Sequence, residues 1–131
     1  MPVTVTVCDE TTAGDESHEF SLDLLTETLS VEELLRSRVY QEVKDYNTHR
    51  AGVFRGLVQP QEAEAVLGGF KVSNRRQIDW REQFTAACEA FRRGRILLLV
   101  DDRQVDDLTE SVTVHPRTRV SFVKLVPLVG G

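Results

Sequence analysis

The sequence predicts an α+β domain, and three observations carry that reading. The N-terminus alternates apolar and polar residues with period two, residues 30–46 carry a capped helical stripe, and strand patterning returns after residue 95. At 131 residues the chain is the length of one domain, large enough to bury a core without disulfides or a metal.

In "PVTVTVCDE", Val3, Val5 and Val7 share one face, and Thr4, Thr6 and Cys8 the other, as in a half-buried strand. "TTAGDES" is a polar turn, and "HEFSLDL" alternates again through Phe20, Leu22 and Leu24, so the two strands form a hairpin. Ser30 then provides an N-cap, with Glu33 completing a capping box and Leu29 placed to staple onto Leu34. Val31, Leu34, Leu35, Val39 and Val43 form the buried stripe of this first helix.

Residues 48–79 mix short apolar pieces with Gly52, Gly56, Pro60, Gly68 and Gly69. Loops are expected there, with a helical turn near 61–66 and a short strand near 70–73. A second helix follows, with Asp79 as N-cap and Glu82 as its box partner. Its buried stripe is Trp80, Phe84, Ala87, Cys88 and Phe91, and Gly94 closes it.

"RILLLV" is a continuous apolar run, as in a strand covered on both faces. "DDRQV" is a tight turn into a short strand, Leu108, Val112 and Val114 anchor an irregular stretch, and "HPRT" leads into the last strand, "RVSFVKLV". Val5, Phe20, Leu22, Leu35, Val39, Leu98, Val120 and Phe122 are the expected core between sheet and helix. Residues 48–94 are expected to stay outside that unit.

Composition narrows the function classes. Residues 1–47 hold eleven acids and three bases, against five acids and nine bases in 48–95, within a net charge of −5. The basic stretches "SNRRQ" and "FRRGR" lack interleaved aromatics, which favours a surface for an acidic protein partner over nucleic acid. No apolar run approaches the ~18 residues of a membrane span, and the N-terminus carries no signal-like segment. Cys8 and Cys88 stand in no metal-binding or redox spacing, so buried thiols, no zinc and a reducing cytoplasm are expected. His18, His49 and His115 lie in separate segments, Asp101 and Asp102 read as turn residues, and "LGGF" lacks the context of a phosphate loop. With no catalytic constellation and no metal site, the chain is not expected to be an enzyme.

The last third, "RILLLVDDRQVDDLTESVTVHPRTRVSFVKLVPLVGG", resembles the C-terminal part of ubiquitin-like proteins. It is similar in particular to the small subunit of molybdopterin synthase and to thiamin-type sulfur carriers. The likeness covers residues 95–131, and residues 1–47 in pattern. Where ubiquitin has basic residues ahead of its diglycine, this chain has Leu125, Val126, Pro127, Leu128 and Val129. The resemblance implies a β-grasp fold, a mixed sheet with a packed helix, here carrying an insertion at about 48–94 with a second helix. Residues 1–126 would form that single domain and 127–131 a flexible C-terminal tail.

The resemblance also implies how such a tail is used. An adenylating (activating) enzyme consumes ATP to activate the carboxylate of Gly131, while the chain itself binds no cofactor. Gly130 gives clearance in a narrow channel, because glycine has no Cβ. Pro127, Leu128 and Val129 hold the tail extended against the enzyme, and Pro127 cannot continue a sheet ladder. Two glycines in the last two positions arise by chance in roughly one chain in 200. Three functions follow. The first is a protein modifier joined to target amines through an isopeptide bond, with a conjugating enzyme and a deconjugating protease as further partners. The second is a sulfur carrier bearing a C-terminal thiocarboxylate for a sulfur-accepting synthase. The third is an interaction module with an inert tail. The modifier is the leading expectation, with Arg75, Arg76, Arg92 and Arg93 as the surface that meets an acidic partner.

Overall fold

Val3, Val5, Val7, Leu22 and Leu24 all turn inward, as their alternation requires, and this pairs two strands into the start of a mixed sheet. The computed structural model describes residues 2–12, 18–49, 52–66, 68–72 and 77–125. Strand β1 (Val3–Thr11) runs antiparallel to β2 (His18–Leu24) and parallel to β9 (Arg119–Lys124). Beyond β9 lie β6 (Ile96–Val100) and β7 (Arg103–Val105), both antiparallel to their neighbours, giving the order β2-β1-β9-β6-β7. The last strand is therefore central. The fold is α+β, with a mixed sheet and two helices.

Helix α1 (Val31–His49) covers one face of the sheet. Its start is held locally: the Glu33 amide donates to Ser30 Oγ at 3.1 Å, and the Ser30 amide donates back to Glu33 Oε1 at 3.4 Å. Two further amides of its first turn, on Val31 and Glu32, donate to the carbonyls of Glu110 and Leu108. That contact explains a strand pair that the sequence reading treated as irregular chain. Strand β3 (Thr28–Ser30) pairs with β8 (Ser111–Thr113), and three residues are too few to display a period.

The insertion is corrected in two respects. The helical turn expected near 61–66 is instead strand β4 (Ala63–Val66), which forms a hairpin with β5 (Gly69–Val72), the strand expected near 70–73. Nor does the segment stay outside the core. Its described residues add no strand to the main sheet, yet Phe54, Leu57, Ile78, Ala87, Cys88 and Phe91 join one continuous apolar cluster with the sheet and α1. Asn47 of α1 secures the chain by exchanging two hydrogen bonds of 2.9 Å with the backbone of Ile78.

Helix α2 (Trp80–Arg92) then packs on α1. Asp79 caps it by accepting from the Arg81 amide, and Gly94 follows its end with φ of 71°. The Gly94 and Arg95 amides return to the Phe91 and Ala90 carbonyls, the paired bonds of a Schellman closure. Ala87, Cys88 and Phe91 are buried as expected. Trp80 and Phe84 are only half-buried, and the polar Gln83 is buried instead because its amide donates to the Val58 carbonyl. Of the expected core, Phe20 alone is half-exposed, while the other seven residues are buried. Asp101 and Asp102 both have positive φ, the geometry of a tight hairpin turn between β6 and β7.

Candidate functional site

The inward alternation of three strands ends in charge or in a histidine at one end of the sheet. On β1 the series Val3, Val5, Val7 is continued by Asp9, and on β9 Val120 and Phe122 are continued by Lys124. His18 stands opposite Asp9 across the β1–β2 pair. Because β1 and β9 are parallel, their ends meet where the C-terminal residues leave the sheet.

Helix α1 answers this edge with Arg38 and Glu42, one turn apart. Arg38 is fully buried and donates through both terminal nitrogens to the two carboxylate oxygens of Asp9, the Nη2–Oδ2 bond measuring 2.6 Å. Its Nε donates to Glu42 Oε2 at 3.1 Å. The guanidinium plane lies between the rings of Phe20 and Phe122, 5.0 and 4.6 Å from their centroids. Burial alone would lower the Arg38 pKa, but Glu42 and Asp9 outweigh it and hold the group charged. Burial pushes Glu42 up in spite of Arg38 and of the Leu57 amide, which donates to Glu42 Oε1 at 3.3 Å.

Lys124 completes the cluster. Its amine donates to the Gly56 carbonyl at 2.9 Å, and burial lowers its pKa. Glu42 and Lys124 thus each hold the backbone of residues 56–57, tying the insertion to the root of the C-terminal segment. Strand bonding persists to Leu125, whose amide donates to the Arg95 carbonyl at 2.9 Å; the Thr12 amide donates to the Lys124 carbonyl at 3.1 Å.

Beside this root lies a groove of about 370 Å³. Ala86 and Ala90 of α2, the α2 cap Arg93, Leu57, Val58 and Leu125 are among the residues that line it. A second cavity of about 400 Å³ brings His18 and His49 to one site between β2, α1 and residues 53–55. The sequence placed these histidines in separate segments; folding brings them to a shared wall, where His18 Nδ1 is 3.1 Å from Arg55 Nη1. Among the described residues no group of three or more His, Cys, Asp or Glu side chains could hold a metal ion. Burial raises the thiol pKa of both Cys8 and Cys88, which keeps them protonated near neutral pH.

The sequence-predicted site residues divide sharply. Pro127, Leu128, Val129, Gly130, Gly131, Arg75 and Arg76 lie outside the described residues. Arg92 on the last turn of α2 and its C-cap Arg93 are exposed, 3.8 and 2.8 Å from Glu89, and Arg93 also lines the groove. Sequence reasoning missed Asp9, Arg38, Glu42 and Lys124. A signal existed, since Asp9 and Lys124 fall on inward positions and Arg38 falls inside the apolar stripe of α1. No helix among the described residues is long and apolar enough to cross a membrane. Comparisons with protein-family models, with curated proteins and with solved structures find no match to this chain.

Proposed function

We propose that this chain is a ubiquitin-like protein of the β-grasp fold that acts through its C-terminal residues as a protein modifier. The observation that carries the reading is the central place of β9, parallel to β1 and flanked by β6, leading at Leu125 directly into "VPLVGG". That order, with α1 crossing one face, supports a grasp whose last strand delivers the reacting end. The buried Asp9–Arg38–Glu42 cluster supports it further, because Arg38 packs over Phe122 of the strand from which that end departs.

In this reading the Gly131 carboxylate attacks the α-phosphorus of ATP on an activating enzyme, forming an acyl-adenylate and releasing pyrophosphate. A carrier thiol then displaces AMP, and a target amine displaces the thiol to leave an isopeptide bond. The chain supplies the carboxylate, the clearance at Gly130 and the extended segment Pro127, Leu128 and Val129. Catalysis and ATP belong to the partner, and the chain is not itself an enzyme. Arg75, Arg76, Arg92 and Arg93 would meet an acidic face of that partner.

The aliphatic, proline-bearing tail also favours a sulfur carrier, in which a sulfide-level sulfur nucleophile attacks the acyl carbon of the adenylate and displaces AMP to leave a thiocarboxylate. One experiment separates the readings. Protein and ATP are added to lysate of the native host, beside a Gly131 deletion and a Gly130→Trp variant. High-mass adducts lost in both variants mean conjugation, whereas an intact mass with one oxygen exchanged for sulfur means a carrier. Neither product, with an active cognate enzyme present, removes both.

A further inference from the structure

The groove beside Leu125 is lined by Leu57, Val58, Ala86, Ala90 and Ile96, with Gln59, Glu89, Arg93, Arg95 and Lys124 as its polar residues. Ala86, Ala90 and Arg93 follow one another at helical spacing, so α2 presents a continuous shallow face. Leu57 is buried and Val58 half-buried, anchored through Gln83 and Glu42. Leu125 lines the groove and is 37% exposed, with its amide donating to the Arg95 carbonyl, so the last described residue is held beside the groove.

We propose that this groove binds the chain's own residues 126–129, in the same molecule. The four residues after Leu125 are Val, Pro, Leu and Val, with no charge to desolvate. Extended, they reach about 13 Å. The groove wall from Arg93 to Ala86 is seven residues of helix, about 10 Å. Reach and length therefore match. The two alanines leave room for the larger side chains of Leu128 and Val129, and apolar surface on both sides leaves water together. Tethering at Leu125 gives this segment an effective concentration in the millimolar range, above that of a free competitor of equal chemistry. Docking would withhold the segment from any partner that needs it free. The inference goes beyond the modifier reading and does not depend on it.

Methyl-labelled full-length protein tests the idea without any enzyme. Nuclear Overhauser contacts are expected from the Leu128 or Val129 methyls to those of Ala86 and Ala90. They should be missing from a sample mixing labelled and unlabelled chains that is filtered for intermolecular contacts. Ala86 is exposed, so Ala86→Arg blocks the groove without disturbing the core, and unchanged circular dichroism checks this. Both Ala86→Arg and Leu128→Asp should erase the contacts and speed amide exchange at 128 and 129 by about tenfold or more. Contacts that survive in the filtered mixed sample would assign the groove to a second copy and overturn the proposal. Absence of any contact, with exchange at 128 and 129 unchanged by Ala86→Arg, would also overturn it.

Discussion

Arg38 and Asp9, 29 positions apart, meet in a two-pronged ion pair inside the helix–sheet interface, where Arg38 has essentially no solvent contact. A buried pair of this kind is weak evidence for net stabilisation, but it is costly to break from one side. With Glu42 on the third nitrogen, one cation is shared by two carboxylates from different elements.

Arg38→Met keeps most of the volume while leaving Asp9 and Glu42 facing each other without their cation. The expected loss is about 3–5 kcal/mol, read from urea unfolding at pH 7. The deficit should shrink as pH is lowered, because the Glu42 carboxyl, already pushed up by burial, takes up a proton more readily once its cation is gone. A variant as stable as the parent at neutral pH would show that the cluster has no such role.

Lys124 supplies a pH signature. Its folded pKa is lowered by burial, so the folded chain releases that proton at lower pH than the unfolded chain does. Its contribution therefore rises with pH between the depressed folded value and the ordinary lysine value of 10.5. The raised thiols of Cys8 and Cys88 pull the other way in alkali, so the difference between wild type and Lys124→Met is the quantity to follow. Wild type should gain on the variant across that window. Parallel stability curves would reject the effect.

Gly56 sits against the ring of buried Phe54, and a Cβ there would lie 2.1 Å from a ring carbon. Phe54 also packs edge-on to Tyr46 of α1, so its ring has little freedom to retreat. Gly56→Ala should cost about 1–3 kcal/mol by overpacking. Calorimetry would register a lowered Tm, and an unchanged Tm would mean that the loop gives way.

Charge reversal at Arg92 and Arg93 tests the partner surface. Both side chains are about 60% exposed, so Arg92→Glu with Arg93→Glu should leave the fold intact. Association with the cognate activating enzyme should slow by about tenfold at low salt and converge with wild type as salt rises. Stopped-flow rates that do not depend on the substitution would remove this surface. The same reversal at Arg75 and Arg76 extends the test to the other half of the basic stretch.

What the sequence by itself determined is local. The alternation at Val3, Val5 and Val7, the Ser30–Glu33 box and the Gly94 closure depend on residues two to four positions apart, and each formed as its spacing required. Tertiary structure decided whatever depends on distant partners or on too few residues to carry a period. The three-residue strands β3 and β8 pair across the sequence, Leu29 with Val112, and β4 took strand form once β5 supplied its ladder. The insertion became core because Phe54, Leu57 and Phe91 found apolar surface beside α1. Asp9, Arg38, Glu42 and Lys124 are charged residues at inward positions, which the pattern alone reads as interruptions. Only the packed sheet end shows them to be one another's counter-charges, since burying any one of them demands the others nearby.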